Sequence, residues 1–140
     1  MTTPSAEPTD HAGLSVLSLA ECLELAASQP VGRVAFVRDG EIEVLPVNHC
    51  IVDHAVAFRS TGGSKLTAAY YGSVVTFEVD AYDGRRHRGW SVLIKGRADL
   101  VTDEPTLARL QASGLKSWSP AVARSNWVII RPNEVSGRRL

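Results

Sequence analysis

A chain of 140 residues, 44% of them hydrophobic, has the size of one domain with a single substantial core. Its 15 Lys and Arg balance 15 Asp and Glu, and aromatic residues are only 6%, so no global field or stacking surface draws it to nucleic acid or an anionic membrane. No run reaches the roughly 20 apolar residues of a membrane helix, because Glu21, Glu24 and Gln29 interrupt the longest candidate.

Residues 1–13 hold prolines, threonines and acids without a basic flank or an apolar run. They read as a disordered tail rather than a secretory signal, which leaves one domain over 14–140 and a cytoplasmic protein as the expectation. Ser18 followed by Glu21 makes a capping box, and Leu19, Cys22, Leu23 and Ala26 repeat at helical spacing up to the stop at Pro30. From Val31 the grammar is that of strands: Val31 to Val37, a turn at Asp39-Gly40, an alternating stretch from Ile42 to Pro46 and on through Val47 to Ile51, a turn at Asp53-His54, and Ala55 to Arg59. These connections are too short for helical crossovers, so the sheet is antiparallel. After a polar, glycine-containing break at 60–65, Leu66 to Tyr71 reads as a short helix ended by Gly72. A strand follows over Val74 to Asp80, then a basic loop over Ala81 to Gly89 and a long strand over Trp90 to Val101, with Gly96 marking a bulge. Asp103, Glu104 and Pro105 open a helix that Gly114 closes, and a last strand runs over Asn126 to Arg131. The expected fold is mainly β (α+β), an antiparallel barrel with a few short peripheral helices.

Chemistry concentrates in Phe58-Arg59-Ser60-Thr61-Gly62-Gly63-Ser64-Lys65-Leu66, where a strand ends, small donors follow and a helix begins. Backbone amides at a helix start, hydroxyls and a lysine make an anion site of phosphate size, although the spacing is not that of the nucleotide-triphosphate P-loop. An ordinary strand-to-helix connection, with Ser64 as cap and Lys65 solvated, accounts for the same residues. His11, His49, His54 and His87 are scattered with no nucleophile motif beside them. Glu78 and Asp80 share a strand face and read as solvated acids, and Arg85, Arg86, His87 and Arg88 as a solvated loop. Cys22 and Cys50 lack metal-ligand spacing and read as buried free thiols; no metal site is expected. Trp90 and Trp127 suit packing, whereas Trp118, in a short proline-containing loop, suits contact with a ligand or a partner subunit.

The order of Pro30-Val31-Gly32-Arg33-Val34-Ala35-Phe36, Leu45-Pro46-Val47-Asn48, Phe58-Arg59-Ser60-Thr61 and Ser64-Lys65-Leu66 is informative as a set. Together with Val75 to Asp80, Gly89-Trp90-Ser91-Val92 and Gly96-Arg97-Ala98, it makes the chain resemble the pyridoxamine 5'-phosphate oxidase-like family of flavin-binding split β-barrels, over about residues 14–139. The resemblance implies a homodimer that binds FMN, or a deazaflavin, in a groove between subunits and acts on a small-molecule redox substrate. Carried over by position, Arg59, Ser60, Thr61, Ser64 and Lys65 would hold the phosphate. Pro46, Val47, Asn48 and His49 would lie beside the isoalloxazine ring, Trp90, Ser91 and Val92 would come from the neighbouring part of the barrel, and Trp118 would act as a lid. The flavin carries the redox chemistry itself, so no protein nucleophile is required and no catalytic residue is assigned. Oxidation of a vitamin B6 phosphate is not expected, because the chain ends in Gly137-Arg138-Arg139-Leu140 without the C-terminal His of the oxidases proper. A flavin- or deazaflavin-sequestering protein without turnover would need the same pocket.

Overall fold

The computed structural model describes residues 8–61, 72–115 and 125–140. Its elements are β1 (Ser15–Val16), α1 (Leu19–Ala27), β2 (Val31–Arg38), β3 (Glu41–Val52), β4 (Ala55–Thr61), β5 (Val74–Asp83), β6 (Arg88–Leu100), α2 (Glu104–Ala112) and β7 (Ser125–Arg139). Strands run in the order β7-β4-β3-β2-β5-β6, and β6 pairs with β7 again, so six antiparallel strands close a barrel to which β1 adds at Ser15↔Arg139.

The turns follow from residues that tolerate left-handed backbone. Asp39 and Gly40 (φ 51° and 78°) join β2 to β3, and Asp53 and His54 (φ 50° and 65°) join β3 to β4. Strand alternation then sorts the side chains. Val34, Phe36, Val56, Phe58, Val75, Phe77, Val79, Val92, Ile94, Val128 and Ile130 fill the barrel. Helix α1 has the expected capping box and adds Cys22, Leu23 and Ala26 to the same core. Ala55, Ala57, Trp127 and Ile129 face outwards into a second apolar cluster, closed by Leu110 of α2.

The sequence reading ends the last strand at Arg131, but β7 continues to Arg139 through Pro132. Gly96 pairs with Pro132 while Lys95 pairs with Glu134, leaving Asn133 as the extra residue of a bulge, where a proline has no ladder bond to lose. A side chain at position 96 would run into the Arg131 carbonyl oxygen. The β5–β6 connection is also tighter than the expected loop over 81–89. Asp83 accepts backbone hydrogen bonds from Arg85 and Arg86, which turns the chain within a few residues. Within the expected tail, the Leu14 carbonyl accepts from the Asp10 amide, and Arg138 meets the Asp10 carboxylate at 3.1 Å. The expected helix over 66–71 lies outside the described residues.

Candidate functional site

Two seams of the barrel are short: β2 meets β5 over three pairs, Arg33↔Glu78 to Ala35↔Thr76, and β3 meets β4 over four. β3 and β4 leave their turn in register, Val52↔Ala55 to His49↔Phe58, and the ladder stops there. Beyond that point β3 stays with β2, from Asn48↔Val31 to Glu41↔Arg38, while β4 stays with β7 through Arg59↔Trp127, Ser60↔Asn126 and Thr61↔Ser125. Pro46–Asn48 and Arg59–Thr61 thus flank a fork, with no strand pair between them among the described residues. Two of the stretches singled out in the sequence come together here, 46–49 and 59–61. The Arg59 guanidinium lies 5.4 Å from the ring centroid of Trp127, which fixes a cation at the base of the fork.

Alternation decides what each fork residue presents. Pro46 is exposed and Asn48 half-buried on the outer face, where the Asn48 side-chain amide donates to the Pro30 carbonyl at 3.4 Å. Val47 and His49 point inwards. His49 is 4% exposed; its Nε2 lies 2.8 Å from the Ala26 carbonyl oxygen, and its ring meets Phe77 edge-on at 4.8 Å. A carbonyl only accepts, so Nε2 carries the proton and Nδ1 is the bare nitrogen. Burial holds the imidazole below its ordinary pKa, against the opposing effect of the Ala26 bond. The His49 side chain is therefore a core group, and its backbone amide donates to the Pro30 carbonyl at 3.2 Å.

Beside the fork, on the outer face, sits a group that sequence reasoning passed over. Arg33 pairs with Pro46 on β3 and with Glu78 on β5. Its guanidinium reaches Glu78 at 3.2 Å and Asp80 at 3.7 Å. Burial and the neighbouring Asp80 carboxylate raise Glu78 to about 7, more than Arg33 lowers it. The two acids were read as solvated because no single-strand pattern tells which cross-strand residue lies opposite.

The remaining assigned residues are dispersed. Trp90, Ser91 and Val92 open β6, which β2 and β5 separate from β3. Ser91 is exposed, Trp90 half-buried and Val92 fully buried in the barrel. Within one protomer this segment does not meet the fork. Ser64, Lys65 and Trp118 lie outside the described residues, as does the side chain of Thr61; Ser60 is half-buried. Lys65 is four residues beyond Thr61, within about 14 Å of chain. Both cysteines are free thiols, Cys22 buried and Cys50 half-buried with Sγ 3.8 Å from Ser113 Oγ. Among the described residues no cluster of His, Cys, Asp and Glu could hold a metal, and no helix is long and apolar enough to cross a membrane.

Comparison with known proteins agrees with the barrel fold. The family profile described as pyridoxamine 5'-phosphate oxidase matches residues 18–139. The uncharacterized protein Rv0080 of Mycobacterium tuberculosis is 38% identical over 125 residues, 86% of this chain and 81% of that one. Among solved structures, the FAD binding protein from Mycobacterium smegmatis superposes with a TM-score of 0.81 at 34% identity, covering 90% of this chain and 99% of the other. A putative pyridoxamine 5'-phosphate oxidase from Corynebacterium glutamicum superposes with a TM-score of 0.76 at 30% identity, over 91% and 93%.

Proposed function

The chain belongs to the pyridoxamine 5'-phosphate oxidase family, and from that premise we propose that it is a flavin-dependent oxidoreductase that works as a homodimer, with the flavin seated at the β3–β4 fork. The observation that carries this reading is the fork itself. It joins outward-facing Pro46 and Asn48, the Arg59 cation and the start of the phosphate-type segment 60–65 in one place. A flat, anionic group suits such a donor set: backbone edges of two parting strands meet the ring, and cations meet the phosphate. Bound flavin supplies two-electron transfer. The chain's own residues bind and orient it: Arg59 and Lys65 by charge, Ser60, Thr61 and Ser64 by hydroxyl and amide hydrogen bonds, Asn48 by its position at the rim.

The similar Mycobacterium smegmatis protein is named for FAD, which favours FAD beside the FMN expected from sequence; a deazaflavin is the third form. All three share the phosphate that Arg59 and Lys65 would hold. The dimer is supported by an outer face with Val37, Ile42, Val44 and Val74 exposed by 56–78%, apolar side chains that a second copy would cover. With a second copy over that face, Trp90, Ser91 and Trp118 of the partner subunit would complete the groove. The protein is proposed to work in the cytoplasm.

The deciding experiment is to purify the protein, release its cofactor and weigh it. A flavin or deazaflavin, turned over by a reductant, is the expected result; a colourless protein that takes up none of the three on titration would overturn the reading. A cofactor bound without turnover would identify a sequestering protein instead. Light scattering checks the dimer, which a stable monomer that still binds flavin would exclude.

A further inference from the structure

The exposed side chains of the outer face form a continuous patch. Val37 pairs with Ile42, and Ala35 with Val44 on one side and Thr76 on the other. Arg33 and Glu78 follow two residues along the same face of β2 and β5, so the ion cluster borders the patch directly. In an isologous pair the same apolar surface meets itself, and a chain of zero net charge offers no overall repulsion to its own copy. Inside the cluster the balance is uneven. Two carboxylates share one guanidinium, a net charge of −1 when all are ionised and zero when Glu78 carries a proton.

Taking such a cluster out of water costs more in the charged form than in the neutral one. The surroundings supply little relief. On β6 the residue opposite Glu78 is Leu93, flanked on the same face by Ser91 and Lys95. One strand further, β7 contributes Arg138, held by Asp10, and Glu134, opposite Lys95. On β3 the neighbour of Arg33 is Pro46, and the Arg38–Glu43 pair, closed at 3.2 Å, stands at the far end of the β2–β3 hairpin.

We propose that association of two copies over this face is proton-linked through the Arg33–Glu78–Asp80 cluster, with a proton taken up on Glu78 of each protomer as the face is covered. The inference rests on the self-association proposed above. It follows that the pair is tighter on the acid side of neutrality and loosens as Glu78 ionises. The already raised proton affinity of Glu78 places this change where the cell can use it.

The test is the dimer dissociation constant of the full chain as purified, read from pH 6 to 8.5 by dilution and by subunit exchange. Wild type should weaken by about a hundredfold or more across that range, as uptake of one proton per protomer, two per dimer, requires. Glu78→Gln, which keeps the shape and a hydrogen bond to Arg33, should be flat with pH and as tight at pH 8.5 as wild type at pH 6. Heat of dilution in two buffers of different ionisation enthalpy measures the proton uptake without any variant. A wild-type constant that is unchanged within twofold, or a slope that survives in Glu78→Gln, overturns the linkage while leaving the dimer standing. A chain that is monomeric at every pH, or a dimer untouched by Val44→Lys, removes the self-association over this face and the linkage with it.

Discussion

The two seams that flank β4 and β7 in the barrel are built differently. Where β6 meets β7, eleven residue pairs run from Trp90↔Arg139 to Leu100↔Val128, interrupted only by the bulge at Gly96. Where β3 meets β4, four pairs suffice before the strands part. The long seam saturates its backbone groups and buries Val92, Ile94 and Ala98 behind them. The short seam leaves strand edges and outward side chains for something else to satisfy.

The contrast breaks if both sides respond alike to substitution. The largest effect is expected at the closed side. Ile94→Ala removes a fully buried side chain of β6 and should cost about 2–5 kcal/mol of stability, read as a lowered denaturation midpoint with or without cofactor. At the fork the loss should be one of affinity. Lys65→Ala should raise the FMN dissociation constant roughly 10- to 150-fold, the loss of one charge-assisted hydrogen bond of about 1.5–3 kcal/mol, and leave riboflavin nearly unaffected. Equal losses for FMN and riboflavin, or destabilisation of the cofactor-free chain as large as that of Ile94→Ala, would erase the distinction between seams.

Acid should act through the barrel interior. His49 is held neutral by burial, so its folded pKa lies below the unfolded value of 6.5. Below that pH the unfolded chain binds the proton and the folded chain does not. Stability therefore falls as pH drops from 7 towards 5, by at most about 1.4 kcal/mol per pH unit, and levels off once the folded imidazole also titrates. Denaturant midpoints across this range should be steeper for wild type than for His49→Gln; parallel curves would show that His49 is not the group responsible. The smallest effect concerns the thiols. Cys22 lies on the core face of α1, and Cys50 points out of β3 into the second apolar cluster, with Sγ beside Ser113. The double replacement by alanine should keep flavin affinity within a few-fold, and loss of binding in a folded variant would place one of them in the site.

The candidate site was half legible before the fold was known. The phosphate-type stretch 59–65 stood out because glycines, hydroxyls and cations fall between a strand end and a helix start, and 46–49 came with the family resemblance. Nothing local said that His49 and Val47 turn inwards while Pro46 and Asn48 turn out. A period of two gives alternation but not which parity faces the core, and the apolar residues at both parities of β3 left that open. Arg33, Glu78 and Asp80 were each visible, yet their meeting is a fact of register across β2 and β5.

By itself the sequence determined the helix that begins at Ser18, the turns at Asp39-Gly40 and Asp53-His54, the bulge glycine at position 96 and an antiparallel, mainly β architecture. These are written in residues a few positions apart, through capping, left-handed φ and alternation. Only the tertiary structure decided that β7 runs on past Pro132 to close the barrel, that β3 and β4 part after His49, and that three charged groups share one patch of the outer face. Each of those depends on which strands lie side by side, and that is fixed by burial of the whole core rather than by any stretch of neighbouring residues.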